Sequence, residues 1–293
     1  MNDIKQMKFA VIGGDIRMLY CAAALSERGA EVSFCGFDTP SGICGGAVRC
    51  GGMADAVSGA DAVILPVPYS TDGCRINCPF SRTEIRADDV LSAVRPTQLL
   101  FAGLCRQAFA AAAEDRGLTL IDYMNDETLI LKNAYATAEG ALQICLREMT
   151  TVLRGSDVLV LGYGRVGSMT AELFSAAGAR VTVCARRREQ LALAECRGHS
   201  VLDIKRIIKL SQGASVVINT VPDRVIDAGF LSLLNGDALI IDLASMPGGV
   251  DDDAASHFGV RVIHALSLPG KTAPESAGGY IADAVASFAG RLS

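Results

Sequence analysis

The stretch Asp157-Val158-Leu159-Val160-Leu161-Gly162-Tyr163-Gly164-Arg165-Val166-Gly167 decides the fold. Four apolar residues in succession read as a buried strand, and the residues from Ser168 to Ala177 read as a helix. Between them lies GxGxxG. The pattern alone is weak, but here it leaves a strand and opens a helix, which is the context a dinucleotide site requires. Gly162 allows the tight turn, Gly164 lets backbone approach a pyrophosphate, and Gly167 lets the helix lie close to the strand. The amides and partial positive charge of the helix N-terminus then face the phosphates. A glycine turn without a ligand is the alternative, and the complete strand–turn–helix unit argues against it.

Downstream, Arg180 to Cys184 reads as the next strand and ends in Ala185-Arg186-Arg187-Arg188. An NAD site usually has Asp or Glu there, for the ribose 2′-hydroxyl. Arginines attract a 2′-phosphate instead and bind it bidentately, so NADP(H) is expected over NAD. A solvated basic start to the next helix is the competing reading. Ser215 to Asn219 and Ala238 to Asp242 follow as buried strands, and Arg261 to Ile263 as the last. Ligands of open α/β sheets bind at the carboxyl ends of strands. Asn219-Thr220-Val221-Pro222 and Asp242-Leu243-Ala244-Ser245 are therefore expected to flank the nicotinamide ribose and ring, although Pro222 and Ser245 can also be structural. The expected cofactor contacts are Gly162, Tyr163, Gly164, Arg165, Val166, Gly167, Ala185, Arg186, Arg187, Asn219, Thr220, Val221, Pro222, Asp242, Ala244 and Ser245.

Upstream, the same plan recurs in weaker form. Lys8 to Ile12 reads as a strand, Gly13-Gly14-Asp15 as a turn and Ile16 to Arg28 as a helix. Glu31 to Cys35, Asp61 to Leu65 and Gln98 to Ala102 read as further strands, while Gly36 to Gly59 resists placement. The fold class is thus α/β, with two Rossmann-like doubly wound domains of mainly parallel sheet joined by a long linker helix. The expected division is 1–130 as a Rossmann-like substrate domain, 131–154 as the linker helix (Leu131 to Leu153), and 155–272 as the NADP-binding domain. The remainder, 273–293, is expected as a helix (Pro274 to Leu292) packing back toward the first domain. The first turn lacks the third glycine, and Asp15 would repel a pyrophosphate, so it reads as a degenerate loop serving the substrate. Arg17, just inside the helix, can hold a carboxylate or be an ordinary surface arginine.

With 293 residues, half of them hydrophobic, the chain can bury two cores. A net charge of −5 and no basic run longer than Arg186-Arg187-Arg188 argue against nucleic acid. No apolar run reaches the roughly 18–20 residues of a membrane span. The ten cysteines follow a polar N-terminus with no signal-peptide core, so free thiols in a reducing cytoplasm are expected rather than disulfides. Cys74 and Cys78 lack CxxC spacing and a second pair, so no metal site is expected.

Several of these stretches resemble one family. The opening Gly13-Gly14-Asp15-x-Arg17 is similar to the start of the A subunit of dipicolinate synthase from endospore-forming bacteria. The similarity continues through Leu65-Pro66-Val67-Pro68, Lys132-Asn133-Ala134-Tyr135-Ala136-Thr137-Ala138-Glu139-Gly140, and Leu161 to Gly167. It ends with Asp242-Leu243-Ala244-Ser245 and Leu268-Pro269-Gly270-Lys271-Thr272-Ala273-Pro274. The glycine motif is shared by many dehydrogenases; the first and last segments are more specific. The two-domain layout also resembles 2-hydroxyacid and alanine dehydrogenases.

The resemblance implies NADP-dependent oxidation of dihydrodipicolinate, drawn from the lysine pathway, to dipicolinate. It implies a cytoplasmic setting in the mother cell of a sporulating bacterium. It also implies a partner, the flavoprotein B subunit of dipicolinate synthase, and a homodimer within a larger complex. Another NAD(P)-dependent 2-oxo or amino acid dehydrogenase, or a non-catalytic nucleotide-binding role, stays open. A dicarboxylate substrate needs cations, and Arg17 and Lys271 are the candidates, with Arg75, Arg82 and Lys132 behind them. His264 can serve as the base or merely fill the sheet edge; Glu139 and Asp15 are its rivals.

Overall fold

The computed structural model describes residues 4–39 and 45–292. Both halves form six-stranded sheets in which every pairing is parallel. In the first, β1 (Lys8–Ile12), β2 (Glu31–Cys35), β3 (Val48–Arg49), β4 (Ala62–Ile64), β5 (Leu99–Ala102) and β6 (Thr119–Asp122) lie in the order β3-β2-β1-β4-β5-β6. In the second, β7 (Asp157–Leu161), β8 (Arg180–Ala185), β9 (Ser200–Asp203), β10 (Val216–Asn219), β11 (Leu239–Asp242) and β12 (Arg261–His264) repeat that order as β12-β11-β10-β7-β8-β9. This is the doubly wound Rossmann arrangement, twice over. Its switch point, where the strand order reverses, falls beside β1 in one sheet and β7 in the other.

The central strands form because helices cover both their faces. Phe9 to Ile12, Val158 to Leu161 and Val216 to Asn219 are buried without interruption. Continuous β-branched and leucine runs suit that setting.

The chain divides into two compact units, Met1–Lys132 with Ala273–Ser293 and Asn133–Thr272. In the first unit the helix Pro274–Leu292 packs against the helix Ile16–Glu27, burying Ile281, Ala282, Val285 and Ala289 beside Met18, Cys21 and Leu25. Gly278 permits the approach, since a Cβ there would press on the Arg17 carbonyl and lie 2.8 Å from the Cys21 amide. In the second unit Ala141, Ile144 and Cys145 share a core with Phe174 and Leu268.

Three expectations change. The long helix runs Glu127–Glu148, not Leu131 to Leu153. Its start is set by Asp126, whose carboxylate accepts the Leu129 amide at 2.8 Å. It stops before the β-branched run Thr150-Thr151-Val152. The helix after the glycine loop begins at Arg165 rather than Ser168. The unplaced stretch holds β3 and a short helix, Met53–Ser58; residues 40–44 within it lie outside the described residues. All nine described cysteines are free, but Cys74 and Cys196 are exposed, and Cys44 lies outside the described residues. Among the described residues no helix is long and apolar enough to cross a membrane.

Candidate functional site: the carboxyl edges of the two sheets

The second unit brings its glycine loop to the carboxyl end of β7. The Gly162 amide donates to the Cys184 carbonyl at 2.8 Å, tying the loop to β8. Gly162 has φ +93°, and a Cβ there would run into the Thr220 hydroxyl. That hydroxyl donates to the Leu161 carbonyl at 2.8 Å. A Cβ on Gly167 would overlap the Gly162 carbonyl, so the helix Arg165–Ala176 rests directly on the strand end. Gly164 differs from both. It caps the helix with φ −88°, and a Cβ built on it meets nothing within 4 Å. Two of the three glycines are demanded by the protein's own atoms, and the third faces open space. That is the division expected if a ligand occupies the space above Gly164, and it is the test by which this loop fits a dinucleotide.

Tyr163 turns its ring inward, buried beside His199 with ring centroids 6.2 Å apart. Burial pushes its phenol pKa up, against the lowering effect of the Arg197 charge. Its carbonyl accepts from Gln190 Nε2 at 3.0 Å, so it is the Tyr163 backbone that belongs to the loop. Arg165 is exposed and Val166 half-buried.

Ala185, the last residue of β8, is buried, and Arg186, Arg187 and Arg188 beyond it are exposed. Arg187 caps the helix Arg188–Cys196. Arg186 Nη1 lies 3.7 Å from Asp223 Oδ2, a loose pair between two exposed side chains. No acid stands at the end of β8 itself.

Across the switch point, Leu161, Asn219, Asp242 and His264 are register neighbours on β7, β10, β11 and β12. Asn219 and Asp242 are buried, with relative exposures of 0% and 1%. Asn219 Nδ2 donates to Asp242 Oδ1 at 2.8 Å and to the Val221 carbonyl at 3.0 Å, and Asn219 Oδ1 accepts the Val221 amide at 3.1 Å. Asp242 also accepts the amides of Ala244 at 3.1 Å and Gly249 at 3.0 Å. These two side chains therefore fix the loops from within. Thr220, Val221, Pro222, Ala244 and Ser245 supply the loop surface, with Pro222 and Ser245 exposed and Ala244 buried. Gly249 was not singled out by sequence. A Cβ on it would collide with Asn219 Nδ2 and lie 2.7 Å from the Val221 carbonyl. The Gly248-Gly249 pair after β11 was the available signal.

In the first unit the corresponding loop is filled by protein. A Cβ on Gly13 would strike Cys78 Sγ, and one on Gly14 would meet Met18 and, at 2.8 Å, Pro66. The Gly14 amide is spent on the Asn77 carbonyl at 2.7 Å. Burial pushes the Cys35 thiol to about 12 and Cys78 to about 11, so neither offers a thiolate at neutral pH.

Asp15 caps the helix and accepts the Arg17 amide at 3.1 Å. Arg17 Nη2 returns to Asp15 Oδ2 at 2.7 Å and also donates to the Val67 carbonyl at 3.0 Å. The Arg17 side chain is 8% exposed. The structure thus pairs Arg17 with Asp15 instead of leaving it a surface arginine.

The other candidates are dispersed. Lys271 and Glu139 are exposed residues of the second unit. Lys132 pairs with Asp283 at 2.9 Å. Arg75 pairs with Asp72 at 2.6 Å, and both Arg75 and Arg82 line a cavity of about 410 Å³ in the first unit. His264 Nε2 bonds to Asp252 Oδ1 at 2.8 Å and its Nδ1 lies 3.5 Å from Asp242 Oδ2. The imidazole is thus oriented by Asp252 through Nε2, with the Asp242 carboxylate near its other nitrogen. Among the described residues no group of acids, histidines and cysteines is arranged to hold a metal.

Doubly wound order and an open glycine loop at the carboxyl end of β7 define the second unit as the nicotinamide-nucleotide domain of an NAD(P)-dependent dehydrogenase. The family model for the NAD binding domain of D-isomer specific 2-hydroxyacid dehydrogenases matches residues 132–255. Residues 8–124 match the model for the N-terminal domain of the dipicolinate synthase A subunit. The A subunit of dipicolinate synthase from Bacillus subtilis (strain 168) is 31% identical over 278 residues, 94% of either chain. The crystal structure of its counterpart from Bacillus halodurans superposes with a TM-score of 0.86 at 29% identity, covering 97% of this chain and 98% of the other. That of the Bacillus subtilis protein gives 0.87 at 30%, covering 99% and 98%. The chain belongs to the family of dipicolinate synthase A subunits.

Proposed function

We propose that the chain oxidises dihydrodipicolinate to dipicolinate with NADP+ as hydride acceptor, in the mother cell of a sporulating bacterium and in company with a flavoprotein subunit. The observation that carries the reading is the kinship with the dipicolinate synthase A subunit over 94% of the chain, read with the open glycine loop of the second unit. NADP+ held there would take the hydride, and the proton released as the ring aromatises would pass to water or a nearby base. The chain's own residues do the rest. The loop Gly162 to Gly167 and the helix N-terminus hold the pyrophosphate. Arg186 and Arg187 take the 2′-phosphate, in place of the acid that would select NAD. Thr220 to Pro222 and Ala244-Ser245 border the nicotinamide half and exclude water from it.

The first unit, with its glycine loop filled, takes the dicarboxylate. Arg17 supports that side through its Val67 bond, and Arg75 and Arg82, which line the first unit's cavity, are the cations we assign to the carboxylates. Turnover of dihydrodipicolinate, a 2-hydroxy acid and an amino acid with NADP+ and with NAD+ tests the proposal. Activity confined to one of the latter two acids replaces it with the general dehydrogenase reading.

A further inference from the structure

We infer that His264 is a positioning residue for the nicotinamide half of the site, acting through Asp242, and not the base of the reaction. The inference rests on the dinucleotide reading above. In a doubly wound sheet the adenosine ribose belongs to the strand beyond the glycine loop, here β8, so the nicotinamide half falls on the β10–β11 side of the switch point.

Those loops are held by one carboxylate. Asp242 accepts the Asn219 side chain and the amides of Ala244 and Gly249, and through Asn219 it fixes both the amide and the carbonyl of Val221. A buried carboxylate with this many partners is a rigid anchor, and its orientation sets where the Val221 and Ala244 backbones lie. The half-exposed His264 approaches it from the solvent side. His264 Nδ1 stands 3.5 Å from Asp242 Oδ2, and the imidazole is fixed at its far nitrogen by Asp252 Oδ1 at 2.8 Å. Asp252 is anchored in turn as the first residue of the helix Asp252–Phe258. The series Asp252–His264–Asp242–Asn219–Val221 runs from solvent to the nicotinamide-facing loop with no gap longer than 3.5 Å.

A positioning role predicts a specific pattern of binding. The full-length chain is titrated calorimetrically with NADPH and with 2′-phospho-ADP-ribose, the same molecule without nicotinamide; NADH and ADP-ribose form a parallel pair. His264→Ala weakens the nicotinamide-bearing ligand about 3- to 10-fold, the range for one lost polar contact at a half-exposed site. The fragment's affinity stays unchanged. His264→Asn, whose Nδ2 falls near the position of Nδ1, restores NADPH binding although it cannot act as a base. Unchanged NADPH affinity in His264→Ala, equal weakening of both ligands, or no rescue by His264→Asn overturns the inference and leaves the dinucleotide reading standing. A wild-type chain that binds none of the four ligands overturns both.

Discussion

Gly164→Val separates a ligand's requirement for glycine from the fold's. At Gly164 φ is −88°, which valine adopts without strain, and a Cβ meets no atom within 4 Å. Valine is a poorer N-cap than glycine by somewhat under ~1 kcal/mol. A branched side chain also restricts the unfolded chain, recovering a few tenths of that. The net stability change is therefore under about 1 kcal/mol. Gly162→Val is the internal contrast. It carries a left-handed penalty of about 1–2 kcal/mol, plus a collision with Thr220 that breaks its bond to Leu161. Binding runs the other way. A pyrophosphate at this helix start draws on charge-assisted bonds worth roughly 1.5–3 kcal/mol each, and valine at Gly164 displaces at least two. The expected loss is about 3–6 kcal/mol, more than 100-fold in Kd. Urea denaturation and NADPH titration on both variants read the two quantities separately. A folded Gly164→Val that binds NADPH within about 3-fold of wild type would refute the placement of the pyrophosphate.

Three other outcomes follow from the geometry. Asp223→Asn releases Arg186 from its 3.7 Å pair; NADPH affinity should rise about 2- to 5-fold against NADH, the scale of an exposed ion pair, and an unchanged ratio in paired titrations would exclude Arg186 from the 2′-phosphate site. Arg17→Ala strips Asp15 and the Val67 carbonyl of a nearly buried partner, so denaturation should show a loss of about 2–4 kcal/mol with NADPH affinity unaltered; a variant as stable as wild type would contradict that structural role. His199 is buried, Nε2 has no hydrogen-bond partner among the described residues, and burial holds its pKa below the usual value. The unfolded chain therefore takes a proton that the folded chain refuses, and stability falls as pH drops through about 6.5 and levels off below the folded pKa; His199→Phe should flatten that part of the stability–pH curve, and an identical slope in both proteins would dismiss it.

What could be read from sequence follows burial. The strands visible in advance are mostly central ones, such as β7, β10 and β11, whose residues are almost all buried. The three that escaped notice, β3, β6 and β9, lie at sheet edges. Both residues of β3 are exposed, and neither β6 nor β9 has a fully buried residue, so no apolar run marks them. The glycine loop was legible because its demands are local: strand, turn and helix adjoin in the chain. The Arg17 pairing was not. Residues two apart on a helix do not face each other, but Asp15 is the cap and lies outside the helix, so its carboxylate folds back over the first turn. Cys78 above Gly13 joins residues far apart in the chain, and no spacing rule reaches that distance.

The two sheets share one strand order, yet only one offers an open glycine loop, so topology cannot be what decides it. The difference lies in the turn after the first strand of each. In the second unit the turn is capped by Gly164, which has no side chain to occupy the helix start, and the space above it is open. In the first, Asp15 places its own carboxylate where a phosphate would lie, the Gly14 amide is bonded to Asn77, and Cys78 fills the volume over Gly13. A helix N-terminus favours one anion, and here the protein supplies it. Arg17 then balances that carboxylate and ties it to the loop after β4 through Val67. The first unit has closed its glycine turn with its own residues and made it a fixed support for the Pro66-Val67-Pro68 loop. A unit built this way retains the carboxyl edge of a doubly wound sheet while its glycine turn leaves no open space for a pyrophosphate.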